Sequence, residues 1–397
     1  MSRQIQDAYI VAAQRTAVGK APRGIFRNTR PDDLLAHVIR DVVARAKVEA
    51  KYIDDAIIGC AMPEGEQGMN VARIAVLLAG LPDTVSAMTI NRFCSSGSQA
   101  VGLAADRIRL GEADLMLAGG LESMSMIPMM GGKPAFNPAV FKDDHYAIAY
   151  GMGITAEKVA ERWKVSRADQ DEFSYQSHVK ALKAIESGEF KDEIVPFTLD
   201  DRYPDLATGT SKTDSRTVDT DEGPRRDTSI EGLAKLKPAF RAGGSVTAGN
   251  SSQMSDGAGA VLLASEKAVR DMGLKPLARW VGHCVAGVPP EVMGIGPKEA
   301  IPKLLRQVGV AQDDIDWIEL NEAFAAQALA VQRDCGLNPE RVNPLGGAIA
   351  LGHPLGATGA IRVATIVHAL QRHQKRYGMV SMCIGTGMGF AGLIERV

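Results

Sequence analysis

The chain has 397 residues, of which 45% are apolar and 23% charged, enough for two or three domains of ordinary soluble composition. A net charge of −2 recruits neither nucleic acid nor an anionic membrane; no stretch approaches the ~18 uninterrupted apolar residues of a membrane span. The opening residues lack an apolar run followed by a small-residue cleavage site, so no secretory leader is expected.

Five scattered cysteines (Cys60, Cys94, Cys284, Cys335 and Cys383), odd in number and without a CxxC pair, argue against a disulfide framework or a bound metal and fit a reducing cytoplasm. The 41 glycines exceed the usual ~7% and point to tight turns and close backbone approaches.

Short apolar runs alternate with helical patterns at both ends of the chain, which predicts an α/β architecture with mainly parallel strands. Ala8–Ala13 reads as a strand, Asp32–Lys47 as a helix and Asp55–Gly59 as a second strand. Met88–Phe93 is a short strand that runs straight into Cys94. The helix after it carries Val101, Ala104, Ala105 and Ile108 on one face and stops at Gly111. Asp114–Ala118 is then a buried strand that ends at Gly119-Gly120.

A different segment follows. It holds a polar helix opening at Ser166 with Asp169 as its capping partner. It also holds the polar stretch Asp200–Thr228, expected to be a loop lying over the active site.

The last part repeats the first part's grammar. Asp316–Leu320 is a strand followed by an alanine-rich helix. The glycine turn Gly346–Gly359 leads into a helix bearing Val363, Ile366, Val367 and Leu370, and the strand Met379–Ile384 enters Gly385-Thr386-Gly387-Met388-Gly389. The chain thus divides into an N-terminal αβ half (1–122), a loop domain (123–250), a return to the first half (251–275) and a C-terminal αβ half (276–397). Ligands of such sheets bind beyond the carboxyl ends of the strands.

Four segments carry possible chemistry. Cys94, between a strand and a helix in NRFCSSG, gains from the helix's unpaired N–H groups and dipole, which favour a thiolate. A cysteine taken alone is more often a core residue; the polar, glycine-containing surroundings argue otherwise. His353 is bracketed by glycine and proline at the head of a helix, a setting that holds an imidazole still as a general base. The other six histidines have no such setting. The glycines after Cys383 lack the spacing and the following helix of a dinucleotide loop, and instead free backbone N–H groups for an oxyanion hole. Asn321, at a strand end, holds a water or carbonyl oxygen or caps a helix; alone, the cap is the better reading.

Together NRFCSSGSQA, GNSSQMSDGAG, NEAFAAQA, GGAIALGHPLGATG and CIGTGMG resemble, in content and order, the motifs of the thiolase family. The resemblance implies two related αβ halves in a layered αβαβα core with an inserted loop domain. It implies Cys94 as the acyl-carrying nucleophile, His353 as its base and Cys383 as the second acid/base. Asn321 would hold a water that, with the His353 N–H, stabilises an enolate. The Cys94 and Gly385 N–H groups would form a second oxyanion hole, and Arg225 and Ser252 would contact coenzyme A. No cofactor is implied, coenzyme A being a substrate. The partners implied are acyl-CoA and CoA, a homodimer or homotetramer, and a possible β-oxidation partner subunit.

Within the family, short-chain biosynthetic members resemble His-Met-Gly where this chain has Gly151-Met152-Gly153, a smaller residue that leaves room for a longer acyl tail. Together with Asp221–Thr228 and the CIGTGMG ending, this favours the degradative 3-ketoacyl-CoA branch over the acetoacetyl-CoA one. Met124, Met126, Met129 and Met130 are candidates for the acyl pocket, since methionine adapts to varied apolar shapes, or for the core. Ketoacyl synthases share the fold but use one cysteine and two histidines, where NEAF stands here. A non-catalytic CoA- or lipid-binding protein is the alternative of another class; intact Cys94, His353 and Cys383 argue against it.

Overall fold

A computed structural model describes residues 5–397; residues 1–4, part of the stretch read for a leader, lie outside the described residues. The first half comprises β1 (Ala8–Arg15), β2 (Gly19–Lys20), α1 (Pro31–Ala46), β3 (Asp55–Gly59), α2 (Val71–Leu78), β4 (Ser86–Ile90), α3 (Ser96–Arg109) and β5 (Leu115–Ser123). After it come α4 (Met152–Arg162), α5 (Arg167–Glu186), β6 (Phe197–Asp205), β7 (Thr210–Val218) and α6 (Ile230–Ala234). The chain continues through β8 (Ser255–Ser265), α7 (Glu266–Met272), β9 (Ala278–Gly287), α8 (Gly296–Val308) and β10 (Ile315–Leu320). It ends with α9 (Ala325–Cys335), α10 (Ala348–Leu351), α11 (Leu355–Arg372), β11 (Tyr377–Ile384) and β12 (Met388–Arg396).

Local chemistry sets these limits. Pro31 opens α1 with Asp32 and Asp33 in its first turn, and Lys47 closes it in the left-handed conformation. The Ser166 hydroxyl accepts the Asp169 N–H at 3.1 Å to start α5.

The strands run β10-β11-β12-β9-β1-β8-β5-β3-β4 across a ten-stranded sheet, with β2 on β8. Only β3–β4, β3–β5 and β10–β11 are parallel; every other pair is antiparallel. The sheet is therefore mixed rather than mainly parallel. At β11–β12 the reason is local, because the three-residue link Gly385-Thr386-Gly387, with Thr386 and Gly387 at φ 64° and 90°, turns the chain straight back on itself.

Helices α3 and α11 pack on each other between the β5–β8 side and the β11–β12 side of the sheet. Helices α1 and α2 cover the outside of the first half, and α8 the outside of the second. This is the αβαβα layering expected of two related halves, and the pairing pattern repeats: β3 is parallel to β5 as β10 is to β11, and an antiparallel return strand follows each (β8 and β12). Even the β3–β4 pair has its echo in a parallel bridge between Ile318 and Val342.

Besides small shifts at element ends, and α10 with the start of α11 inside the stretch read as the turn Gly346–Gly359, three differences from the sequence reading bear on the site. Strand β4 ends at Ile90, and a turn rather than a strand carries the chain to Cys94. The Asn91 Oδ1 accepts the Phe93 N–H at 2.8 Å while Phe93 takes φ 43°. Strand β5 does not stop at Gly119-Gly120 but runs to Ser123, since the glycines serve close packing: a Cβ on Gly120 would lie 2.2 Å from the Gly356 carbonyl. The stretch Asp200–Thr228 is not one long loop. Most of it forms the β6–β7 hairpin, largely exposed and too polar to show an apolar alternation. Only beyond Val218 does the chain turn inward, where buried Arg15 holds Asp221 at 2.7 Å and Glu193 at 2.6 Å.

Candidate active site

Cys94 lies at the amino end of α3, 8% exposed, behind the turn that Ser96 braces by accepting the Arg92 N–H at 2.8 Å and donating to the Phe93 carbonyl at 2.7 Å. Burial pushes its thiol up to about 11, while N–H groups of Gly385 and of Cys94 itself, donating toward the sulfur, pull it back. Gly385 sits in the β11–β12 turn, so an amide from the second half meets a sulfur from the first. Cys383, at the end of β11, is fully buried; burial and the neighbouring Cys94 both raise its thiol well above the free value. Both sulfurs are held as thiols at neutral pH.

His353 sits in the Gly352-His353-Pro354 corner ahead of α11, 4% exposed. Its Nδ1 pairs with the Thr358 hydroxyl at 2.7 Å and its Nε2 with the Asn321 amide nitrogen at 3.3 Å. Its backbone N–H donates to the Gln253 carbonyl at 3.3 Å and the Ser255 hydroxyl at 3.1 Å, fixing the ring's root. Burial, helped by Arg362, lowers the imidazole to about 3, so it is neutral and able to accept a proton. Leu355, two residues on, packs against Cys94 and Met124, which brings the histidine corner to the nucleophile.

Asn321 leaves β10 with its N–H on the Ser381 carbonyl at 2.9 Å. Its Oδ1 is buried without a hydrogen-bond partner among the described residues, an acceptor aimed at whatever enters beside His353.

Two clefts flank this group. One, of about 400 Å³, is mostly apolar; Cys94, Gly385, Met62, Met129, Met130, Phe136, Tyr150, Gly151 and Met152 line it. A Cβ on Gly151 would meet nothing within 4 Å, whereas one on Gly153 would strike the Phe240 ring at 2.1 Å. Of the four candidate methionines, Met129 and Met130 face this cleft; Met124 packs beneath Cys94, and Met126 is not among the lining residues.

The second cleft, of about 560 Å³, is lined by Lys20, His178, Arg225, Ser229, Ser251 and Gln253 among others. Arg225 donates its N–H to His178 Nδ1 at 3.2 Å. Burial, with Arg225 and Lys20 adding to it, lowers that imidazole to about 4 and keeps it neutral. Ser252 is not among the lining residues, although both its neighbours are; its N–H bonds the Ala323 carbonyl at 2.9 Å.

Several participants were not found from the sequence. Thr358, which orients His353, stands five residues on in the same glycine-rich motif, and that spacing was its only signal. Glu122 left none. Fully buried, it accepts N–H groups from Ala61 (2.7 Å), Met62 (3.2 Å) and Gly356 (2.8 Å), and from the Gln67 amide, tying the floor near Cys94 to the head of α11. Glu322 does the same behind Asn321, accepting from Ser177 at 2.7 Å, Asn343 at 2.8 Å and the Ile349 N–H at 3.2 Å.

Two repeated αβ halves, each delivering candidate reactive side chains from strand ends and helix heads to one place between an apolar cleft and a more polar one, define a thiolase-fold protein. The chain belongs to the thiolase family: the models "Thiolase, N-terminal domain" and "Thiolase, C-terminal domain" match residues 8–267 and 274–396. It is 49% identical to the 3-ketoacyl-CoA thiolase of Bacillus subtilis (strain 168), with 98% of this chain and 100% of that protein covered. It is 46% identical to the peroxisomal 3-ketoacyl-CoA thiolase of Homo sapiens, with 98% and 91% covered. Its structure superposes on that of the Bacillus anthracis acetyl-CoA acetyltransferase with a TM-score of 0.90, at 41% identity over 100% of both chains.

Proposed function

We propose that the protein is a degradative 3-ketoacyl-CoA thiolase, cleaving 3-ketoacyl-CoA with CoA to acetyl-CoA and a shortened acyl-CoA. Neutral His353 takes the Cys94 proton as the sulfur attacks the C3 carbonyl. The oxyanion formed there is met by the Cys94 and Gly385 N–H groups. As the C2–C3 bond breaks, its electron pair passes into the acetyl-CoA enolate, stabilised by the His353 N–H and a water held by Asn321. Cys383 gives its proton to that carbanion, then takes one from incoming CoA; the CoA sulfur displaces the acyl group from Cys94, and His353 returns its proton to the departing Cys94 sulfur. Two thiols and an imidazole cover every proton transfer, so the reaction calls for no cofactor. Arg225 and the cleft around it receive CoA.

The observation that carries this reading is that Cys94, from the first half, and Gly385, from the second, line one cleft, with Cys383 two residues before Gly385 at the end of β11, because this joins nucleophile, oxyanion donor and second thiol across the two halves. The open space at Gly151 supports the longer-chain branch. A second reading, condensation of two acetyl-CoA, is favoured by the likeness to the Bacillus anthracis acetyl-CoA acetyltransferase. Thiolysis rates from four- to sixteen-carbon 3-ketoacyl-CoAs decide between them. The expected wild-type enzyme accepts the long chains, and Gly151→His shifts its preference to short ones by about tenfold; a wild type confined to the four-carbon substrate reverses the choice.

We place the reaction in the cytoplasm, as the five free cysteines suit, and the working unit as a homodimer. Among the described residues no helix is long and apolar enough to cross a membrane. Relatives are both bacterial and peroxisomal, so cell fractionation checks the compartment.

A further inference from the structure

The apolar cleft is roofed by a turn with a single external tie. Pro128 accepts the Gly131 N–H at 2.9 Å, and Met130 and Gly131 take φ 80° and 83° in succession. A methionine does not choose that conformation unaided. The Glu64 carboxylate accepts the Gly132 N–H at 2.7 Å, and among the described residues this is the only hydrogen bond from 128–142 to the rest of the chain apart from the His145 N–H on the Lys142 carbonyl, three residues along, at 3.2 Å. The approach is so close that a Cβ on Gly131 would fall 2.3 Å from Glu64 Oε1.

Glu64 in turn stands on firm ground. It follows Ala61 and Met62, whose N–H groups the buried Glu122 holds, and Met62 is itself part of the cleft wall. Met129, Met130 and Phe136, on the tethered turn, line the same cleft as Cys94, and Glu64 itself lies in its lining. We propose that Glu64 is a latch: a positioning residue that fixes the Met129–Phe136 turn and so sets how well the cleft grips the far part of a long acyl chain. This rests on the reading of the apolar cleft as the acyl site. A short acyl group, confined near Cys94, draws little on that wall, whereas a long one lies along it.

The test compares wild type, Glu64→Ala and Glu64→Gln by thiolysis of four- and sixteen-carbon 3-ketoacyl-CoAs and by hydrogen exchange of 128–142 in the free enzyme. Loss of one hydrogen bond to a charged acceptor predicts that Glu64→Ala lowers the long-to-short ratio of kcat/KM by about tenfold. The loss appears mainly in KM for the long substrate, with exchange of 128–142 accelerated to a similar degree. Glu64→Gln keeps an acceptor oxygen in place and recovers most of both. Unchanged exchange, equal losses on both substrates, or no recovery with glutamine overturns the latch. A wild type inert toward the long substrate sinks the degradative reading instead; exchange then judges the latch alone, acceleration supporting it and no change refuting it.

Discussion

Cys94 and Cys383 owe their proton state to burial, and the imidazole beside them owes its neutrality to the same cause. The resting site is thus a set of neutral groups rather than a thiolate–imidazolium pair, and on the proposed mechanism the sulfur gains its charge only as the proton moves to His353. The sign of the pH dependence follows: a thiol raised to about 11 is ionised less at neutral pH than a free cysteine, and its thiolate fraction keeps climbing through the alkaline range. Alkylation of Cys94 by iodoacetamide, followed by peptide mass analysis, is expected to accelerate with pH past 8.5 without levelling. A plateau below pH 7 would instead reveal a preformed ion pair. A Cys94→Ala variant should form no acyl-enzyme.

Among the elements, the crossing of α3 and α11 does most to set the site. A Cβ on Gly359 would lie 2.1 Å from the Ser98 N–H nitrogen, and one on Gly97 2.7 Å from that of Ala360, so the helices touch through their backbones. Cys94 precedes one helix and His353 the other, and their spacing depends on this contact. Gly359→Ala is expected to cost about 2 kcal/mol by overpacking and to lower activity more than stability alone accounts for. A urea midpoint and kcat both unchanged would show that the crossing can shift freely.

The sequence shows these elements unevenly. Helices α1, α3, α5, α9 and α11 are legible from apolar spacing, alanine content or caps, whereas α2, α4, α8 and the short α10 inside the glycine-rich stretch are not; the candidate site residues stand out by glycine, proline and polar neighbours that no core needs. The β6–β7 hairpin was invisible because strands such as Thr210–Val218 bury almost nothing. Glu64, Glu122 and Thr358 act through contacts between segments far apart in sequence or inside an uninformative turn, and composition carries no trace of such pairings.

At the scale of the whole molecule, β4 closes one edge of the sheet with partners on β3 alone. Met88 on it and Met69, Leu77 and Leu78 nearby are 41%, 92%, 46% and 49% exposed, an apolar border along the sheet edge, and the turn to Cys94 begins at its end. An edge strand of this kind is self-complementary about a two-fold axis, and this supports the homodimer. Light scattering is expected to give twice the chain mass, and Met88→Asp to weaken the dimer by about tenfold or more. A wild type that stays monomeric at micromolar concentration would rule the edge out as an interface.

The run from Ile349 to Leu355 touches the polar cleft at its first residue and packs on Cys94 at its last, with His353 between. On the proposed reading, a lineage carrying this partition is free to retune which carbon skeletons it degrades by exchanges around Gly151 and Met130 alone. The proposed contacts to the handle common to all its fuels lie on other residues, so on that reading dietary range and carrier recognition drift independently while the proton machinery stands still.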